Sequence, residues 1–176
     1  MILGLDASTS CVGWAFYNGT EVVHAGFVDV SKLETNKEKV LHVIYILELE
    51  SLCKLELAKK SLLEDLTGIN LESPLFGFMG GKTSQQTIIK LVRFNAILEY
   101  IISEKWKVPV TLIGAMTARK KVLGKARVKG MTGKEYVRQQ IDKNFTYLHK
   151  FDKMNKRGNP DVRNEDIYDA CILAMA

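Results

Sequence analysis

Residues 164 to 176 read NEDIYDACILAMA, and from Ala170 to Ala176 the segment carries no polar side chain. A helix that is apolar all round is covered by other elements, so this stretch demands packing layers on more than one side. Yet two acids open it. Asp166 and Asp169 are three apart, so on a helix they share one face. A lone carboxylate there costs several kcal/mol, by order of magnitude, unless it is paired, protonated or bound to a metal.

The first thirty residues supply the layer such a helix needs. ILGLD is a short apolar run of the buried-strand type, CVGWAFY a second and TEVVHAGFVDV a third. Asn18-Gly19 separates the last two and marks a hairpin. From about Lys32 to Leu66 apolar residues recur at helical spacing, giving one long helix or two. TGINLESP reads as a short strand ended by Pro74.

LFGFMGGK, with three glycines, reads as a loop. Thr83 to Gln86 fits a capping box and predicts a helix running to about Trp106. Its apolar positions cover more than one face, one for the sheet and one for a second subunit. VPVTLIG is a further buried strand, TGKEYVRQQIDKNF a helix capped by Thr132, and KFDKMNKRGNPDVRN a polar loop before the last helix. This order, βββ-α-β-α-β-α-α, predicts one α/β domain over 1–176, a mixed sheet flanked by helices.

Two more acids share the oddity of Asp166 and Asp169. Asp6 ends the strand ILGLD, and Glu72 ends GINLE; strand ends beside a crevice are where such sheets place ligands. Four carboxylates gathered from distant places repel one another unless a cation enters, and magnesium or manganese suits an all-oxygen site. Three of the four acids also have a structural reading: Asp6 as a cap or turn acid, Glu72 as a partner of loop amides, Asp166 as a first-turn acid favoured by the helix dipole; Asp169 is the hardest to explain that way. Glu64 and Asp65 compete with Glu72, although their place before Gly68 suits a helix end.

Three scattered cysteines, Cys11, Cys53 and Cys171, make no disulfide framework and no zinc motif, which suits a reducing, cytoplasmic compartment. MILGLDASTS lacks the basic and apolar regions of a signal peptide. No apolar run approaches the roughly 20 residues that span a bilayer, so no membrane association is expected. The net charge of +5 is modest. Its distribution is more telling: Arg119, Lys120, Lys121, Lys125, Arg127 and Lys129 stand together with no acid among them. The three histidines are scattered, and His24 reads as a strand residue.

ILGLDASTSCVGWAF, the Glu72 strand end before a long helix, and DIYDACILA together resemble the RuvC family of Holliday-junction resolvases, within the RNase H-like nuclease superfamily. The likeness is to its bacteriophage branch, such as resolvases of lactococcal phages. The resemblance implies an RNase H-like mixed five-stranded sheet flanked by α-helices. It implies that Asp6, Glu72, Asp166 and Asp169 hold two Mg2+ ions per site, with Mn2+ as a substitute, roughly 3.5–4 Å apart. They would hydrolyse a phosphodiester of a four-way DNA junction, with Asp6 bridging both ions. The chain has Asp6-Ala7-Ser8 where many bacterial members have Asp-Pro-Gly. It also has a longer segment between the third and fourth strands, so docking to their branch-migration partners is not carried over.

DNA requires cations on the protein. The run Arg119, Lys120, Lys121, Lys125, Arg127 and Lys129, with Lys82 at the glycine loop, supplies candidates for phosphate contacts; the alternative is a solvated face. Phe76 and Phe78 are candidates to wedge into an opened junction, or else belong to the core. The near two-fold junction suits a C2 homodimer formed through the 83–106 helix. Two other function classes compete. One is a DNA-junction-binding module without catalysis. The other is a fragment of an actin-like or sugar-kinase phosphotransferase, whose first hairpin LGLDASTSCVGWA also resembles; those folds need a second copy of that hairpin, which this sequence lacks.

Overall fold

The chain builds its sheet outward from its first strand. In the computed structural model, which describes residues 1–53, 61–74 and 84–176, β1 (Ile2–Ala7) pairs antiparallel with β2 (Cys11–Tyr17). β2 pairs antiparallel with β3 (Val22–Asp29). The intervening turn forms where Asn18-Gly19 places it. Asn18 Oδ1 accepts hydrogen bonds from the Thr20 and Glu21 amides at 2.9 Å each, and Gly19 adopts φ +97°, a conformation that costs a side chain-bearing residue.

On its other edge β1 pairs parallel with β4 (Gly68–Glu72), and β4 pairs parallel with β5 (Val110–Ile113). The order β3-β2-β1-β4-β5 is a mixed five-stranded sheet, the architecture expected from the sequence.

Strand alternation divides the molecule into two cores. Leu3, Leu5, Trp14, Phe16, Ile69 and Leu71 face one layer, formed by α1 (Asn36–Cys53) and α2 (Gln85–Trp106), which contribute Val43, Leu47, Phe94, Leu98 and Ile102. Ala15, Val22 and Ala25 face the other layer. There α5 (Asn164–Met175) lies against β1, β2 and β3, backed by α3 (Ala115–Leu123), α4 (Gly133–Asn144) and a 3-10 turn (Thr146–Phe151). The apolar end of α5 is buried as its composition demands, with Ala170 to Ala174 all inside.

Two glycines set how closely α5 approaches the sheet. A Cβ at Gly4 would strike the Ala170 carbonyl oxygen and the Ala174 amide, and one at Gly13 the Asp166 carbonyl oxygen. Asn70 fixes the same contact from β4, its Nδ2 donating to the Leu173 carbonyl at 2.8 Å.

Several local expectations are corrected. Within the helical pattern over residues 32–66 the structure describes α1 (Asn36–Cys53) and a turn at 62–65 whose Leu62 and Leu63 pack on the core; residues 54–60 lie outside the described residues. α2 is capped by Ser84, whose side chain accepts from the Thr87 amide; Thr83 lies outside the described residues. β5 is not a buried strand: with β4 as its one neighbour it forms the sheet edge, and Thr111 and Leu112 are exposed. The basic run begins inside α3, whose nine residues bury only Ala118, so its helical period did not show. The 3-10 turn buries Leu148 and Phe151 just before and at the start of the expected loop. α4 begins on the capping box of Thr132 and Glu135, as expected. Among the described residues no helix is long and apolar enough to cross a membrane.

Candidate active site

Strand parity aims two of the acids at α5. Leu5 and Leu71 turn toward the α1–α2 layer, so their neighbours Asp6 and Glu72 turn the opposite way. β1 and β4 run parallel with Leu5 opposite Leu71, which puts Asp6 and Glu72 side by side at the two central strand ends. Burial, then the neighbouring Glu72 carboxyl and the fields of Asp169 and Asp166, push the Asp6 carboxyl well above the usual carboxylate range. Asp6 thus lies within the electrostatic reach of acids from two remote segments, Glu72 on β4 and Asp166 and Asp169 on the last helix.

Asp166 and Asp169 come from the first two turns of α5, over the sheet end where β1 and β4 finish. Asp169 is held by Arg119 of α3. The guanidinium Nη2 donates to both carboxylate oxygens at 2.9 Å, and Nε donates to Oδ1 at 3.3 Å. Burial and the field of Glu72 still outweigh Arg119 and Lys134, and the Asp169 pKa is raised. Lys134, in the first turn of α4, places Nζ 3.1 Å from Glu165 and 3.6 Å from Asp166. Partial burial opposes its charge, but the hydrogen bond to Glu165 and the fields of Asp166 and Asp169 win, raising its pKa. Burial, followed by the nearby Asp166 carboxylate, pushes the pKa of the Cys11 thiol up at the start of β2.

The donor set fits a hard divalent cation: it is all carboxylate, and its four acids outnumber the two cations, Arg119 and Lys134, that face them. Among the described residues no three acidic, histidine or cysteine side chains stand ready-made as a metal-binding group. Asp169 is turned onto Arg119, and Asp166 lies toward Lys134.

The remaining candidates separate. Arg119 leaves the basic run for the acidic cluster. Lys120, Lys121, Lys125, Arg127 and Lys129 are exposed along α3 and the loop after it, and Lys121 donates to the Ala176 carbonyl. Phe76, Phe78 and Lys82 lie outside the described residues. His24 is a strand residue, its Nε2 2.8 Å from Glu50 and its ring edge-on to Trp14. Sequence reasoning overlooked Cys11 and the inward role of Arg119. The second had no sequence signal, since Arg119 sits among residues of the same charge; only the packing of Ala118 against α5 orients it.

No family model and no curated protein sequence matches the chain. Solved structures do. RuvC of T. thermophilus in complex with a Holliday junction substrate superposes with a TM-score of 0.56 at 16% identity, covering 99% of this chain and 90% of that one. A second Thermus thermophilus RuvC structure gives a TM-score of 0.53 at 14% identity, over 98% and 91%. The chain has the RNase H-like fold of RuvC. In that RuvC-like frame the acids occupy the ends of the two central strands and the adjoining face of the last helix.

Proposed function

We propose that this chain is a RuvC-family resolvase: a metal-dependent, structure-selective DNA endonuclease that cuts four-way junctions by phosphodiester hydrolysis. The carrying observation is that Asp6, Glu72, Asp166 and Asp169 act on one another at one end of the sheet of a RuvC-like fold. The RuvC structure with a Holliday junction substrate supports branched DNA as the ligand.

Each part of the chain has a task in this reading. β1 and β4 fix Asp6 and Glu72 rigidly, and α5 brings Asp166 and Asp169 over them. These four would hold magnesium or manganese, which supplies charge neutralisation and a Lewis acid for attack of water on phosphorus. Arg119 and Lys134 keep the acids together before DNA arrives. The exposed cations from Lys120 to Lys129 contact phosphates, which makes binding salt-dependent.

A homodimer pairs two such sites with the two strands to be cut. The α2 face supports it: Ile89 and Tyr100 are exposed. The packed neighbour α1 adds Leu41, Tyr45, Leu49 and Leu52, an exposed apolar stripe at helical spacing.

The test is cleavage of a four-way junction, a replication fork and a plain duplex, with Mg2+ and with a chelator. Metal-dependent cutting of the junction in preference to the duplex is expected; no cutting in any divalent metal would remove the enzymatic reading. One observation favours a non-cutting junction-binding module, the Arg119 clamp on Asp169. Tight junction binding without cleavage is the outcome that selects it.

A further inference from the structure

The polar segment between the 3-10 turn and α5 is built more firmly than its composition suggests. Met154 and Pro160 form an antiparallel bridge. The Asn155 amide donates to the Asn159 carbonyl at 2.8 Å, and Asn155 Oδ1 accepts from the Arg157 and Asn159 amides. Gly158 closes the turn at φ +77°. At its base the buried Asn164 side chain clamps Lys153 on both sides, accepting from its amide at 2.9 Å and donating to its carbonyl at 3.1 Å. Asp161 adds a backbone bond to Lys153 at 2.8 Å. A chain segment that spends this many bonds on its own shape is a rigid hairpin, not a slack connection.

The hairpin presents positive charge without compensation. Lys153, Lys156 and Arg157 are exposed, and among the described residues none of the three forms an ion pair. The nearby acids are already engaged. Asp152 accepts from Tyr168 at 2.6 Å and lies 3.0 Å from His149. Asp161 is bound by Arg163, which also reaches Asp29 at 2.7 Å and stacks 4.3 Å above the Phe27 ring. Lys156, Arg157 and Arg163 line a concavity of about 500 Å3 with Met154, Asn155 and Asp161.

Its position completes the case. Arg163 ties the hairpin to β3, at one edge of the sheet, while α3 and its exposed lysines follow β5 at the other. Asp6 and Glu72, on β1 and β4, lie between. We propose that the 153–159 hairpin is a second phosphate-binding surface, which grips a DNA arm on the flank of the acidic site opposite α3. The inference rests on the DNA-binding reading and adds a surface that the basic run does not include.

The experiment measures affinity of the full-length protein for a labelled four-way junction over a range of salt. Two exposed charges are removed by Lys156→Gln with Arg157→Gln. Two matched charges are removed at the far end of the sheet, by Lys105→Gln with Lys107→Gln. Each neutralised phosphate contact lowers the slope of log K against log salt by about 1. The hairpin pair is expected to lower it by roughly 2 and to weaken binding about tenfold at moderate salt, and the distal pair to leave it as in wild type. Lys156→Arg with Arg157→Lys keeps the slope. Thermal melting equal to wild type shows that the hairpin pair folds; an unfolded hairpin pair passes the decision to single Lys156→Gln, expected to lower the slope by about 1. An unchanged slope, or an equal fall in both pairs, overturns the inference while wild-type binding and cleavage leave the nuclease reading standing. Wild type that binds no junction overturns both.

Discussion

Arg119 and Asp169 form a two-point ion pair in the middle of the acidic cluster, with side chains only 13% and 12% exposed. The two partners are not equivalent. Removing Arg119 leaves Asp169 unneutralised beside Glu72 and Asp6, and breaking a buried pair from one side costs roughly 3–5 kcal/mol. Removing the Asp169 charge relieves repulsion and leaves Arg119 among other acids. Without divalent metal, Arg119→Gln is therefore expected to destabilise far more than Asp169→Asn. Urea unfolding measures both, and equal losses would contradict the picture of an overcharged site.

The α5–sheet contact is expected to tolerate no added carbon. Gly4→Ala would drive a methyl into the backbone of α5 at Ala170 and Ala174, and overpacking of this kind costs roughly 1–3 kcal/mol or more. Because α5 carries Asp166 and Asp169, the same displacement lowers cleavage as well as stability. Gly19→Ala, where a Cβ meets nothing but φ is positive, should cost about 1 kcal/mol and spare the site. A wild-type unfolding midpoint for Gly4→Ala would mean that α5 does not lie so close.

The proposed dimer through the α1–α2 layer would make a specific demand on Ile89, which is 50% exposed. Ile89→Glu is expected to leave the fold intact and to shift sedimentation from dimer to monomer at micromolar concentration. A wild-type protein that stays monomeric even with junction DNA would remove the dimer from the account.

Asp161 gives a pH dependence with a defined sign. Hydrogen bonds from Arg163 hold its pKa down at about 2, against an ordinary value of 3.8. The folded state thus binds the proton less readily than the unfolded state, so its stabilisation is complete above the ordinary value and disappears as pH falls toward 2. Asp161→Asn should remove that part of the acid loss of stability; identical acid profiles for variant and wild type would show that Asp161 contributes nothing.

Much of this fold is legible because strand and helix periods are strong in the right places. ILGLD, CVGWAFY and the Asn18-Gly19 turn specify a hairpin locally, and an α5 without polar residues after Asp169 requires burial wherever it docks. What was not legible depends on partners distant in sequence. VPVTLIG has the composition of a buried strand, but being last in the sheet exposes Leu112. The charges of α3 mask its period, and the 3-10 turn is held by Leu148 and Phe151 packing on the α5 layer rather than by any local signal. In the site, parity places Asp6 and Glu72 once their strands are known to be parallel neighbours. Nothing in the sequence says that Arg119, alone of its run, turns inward.

The most direct test of the central claim compares wild type with Asp6→Asn on a four-way junction in Mg2+, measuring binding and cleavage in the same samples. The variant is expected to bind the junction as wild type does and to cut it undetectably. Normal cutting by Asp6→Asn would contradict a cleavage centre built on these acids.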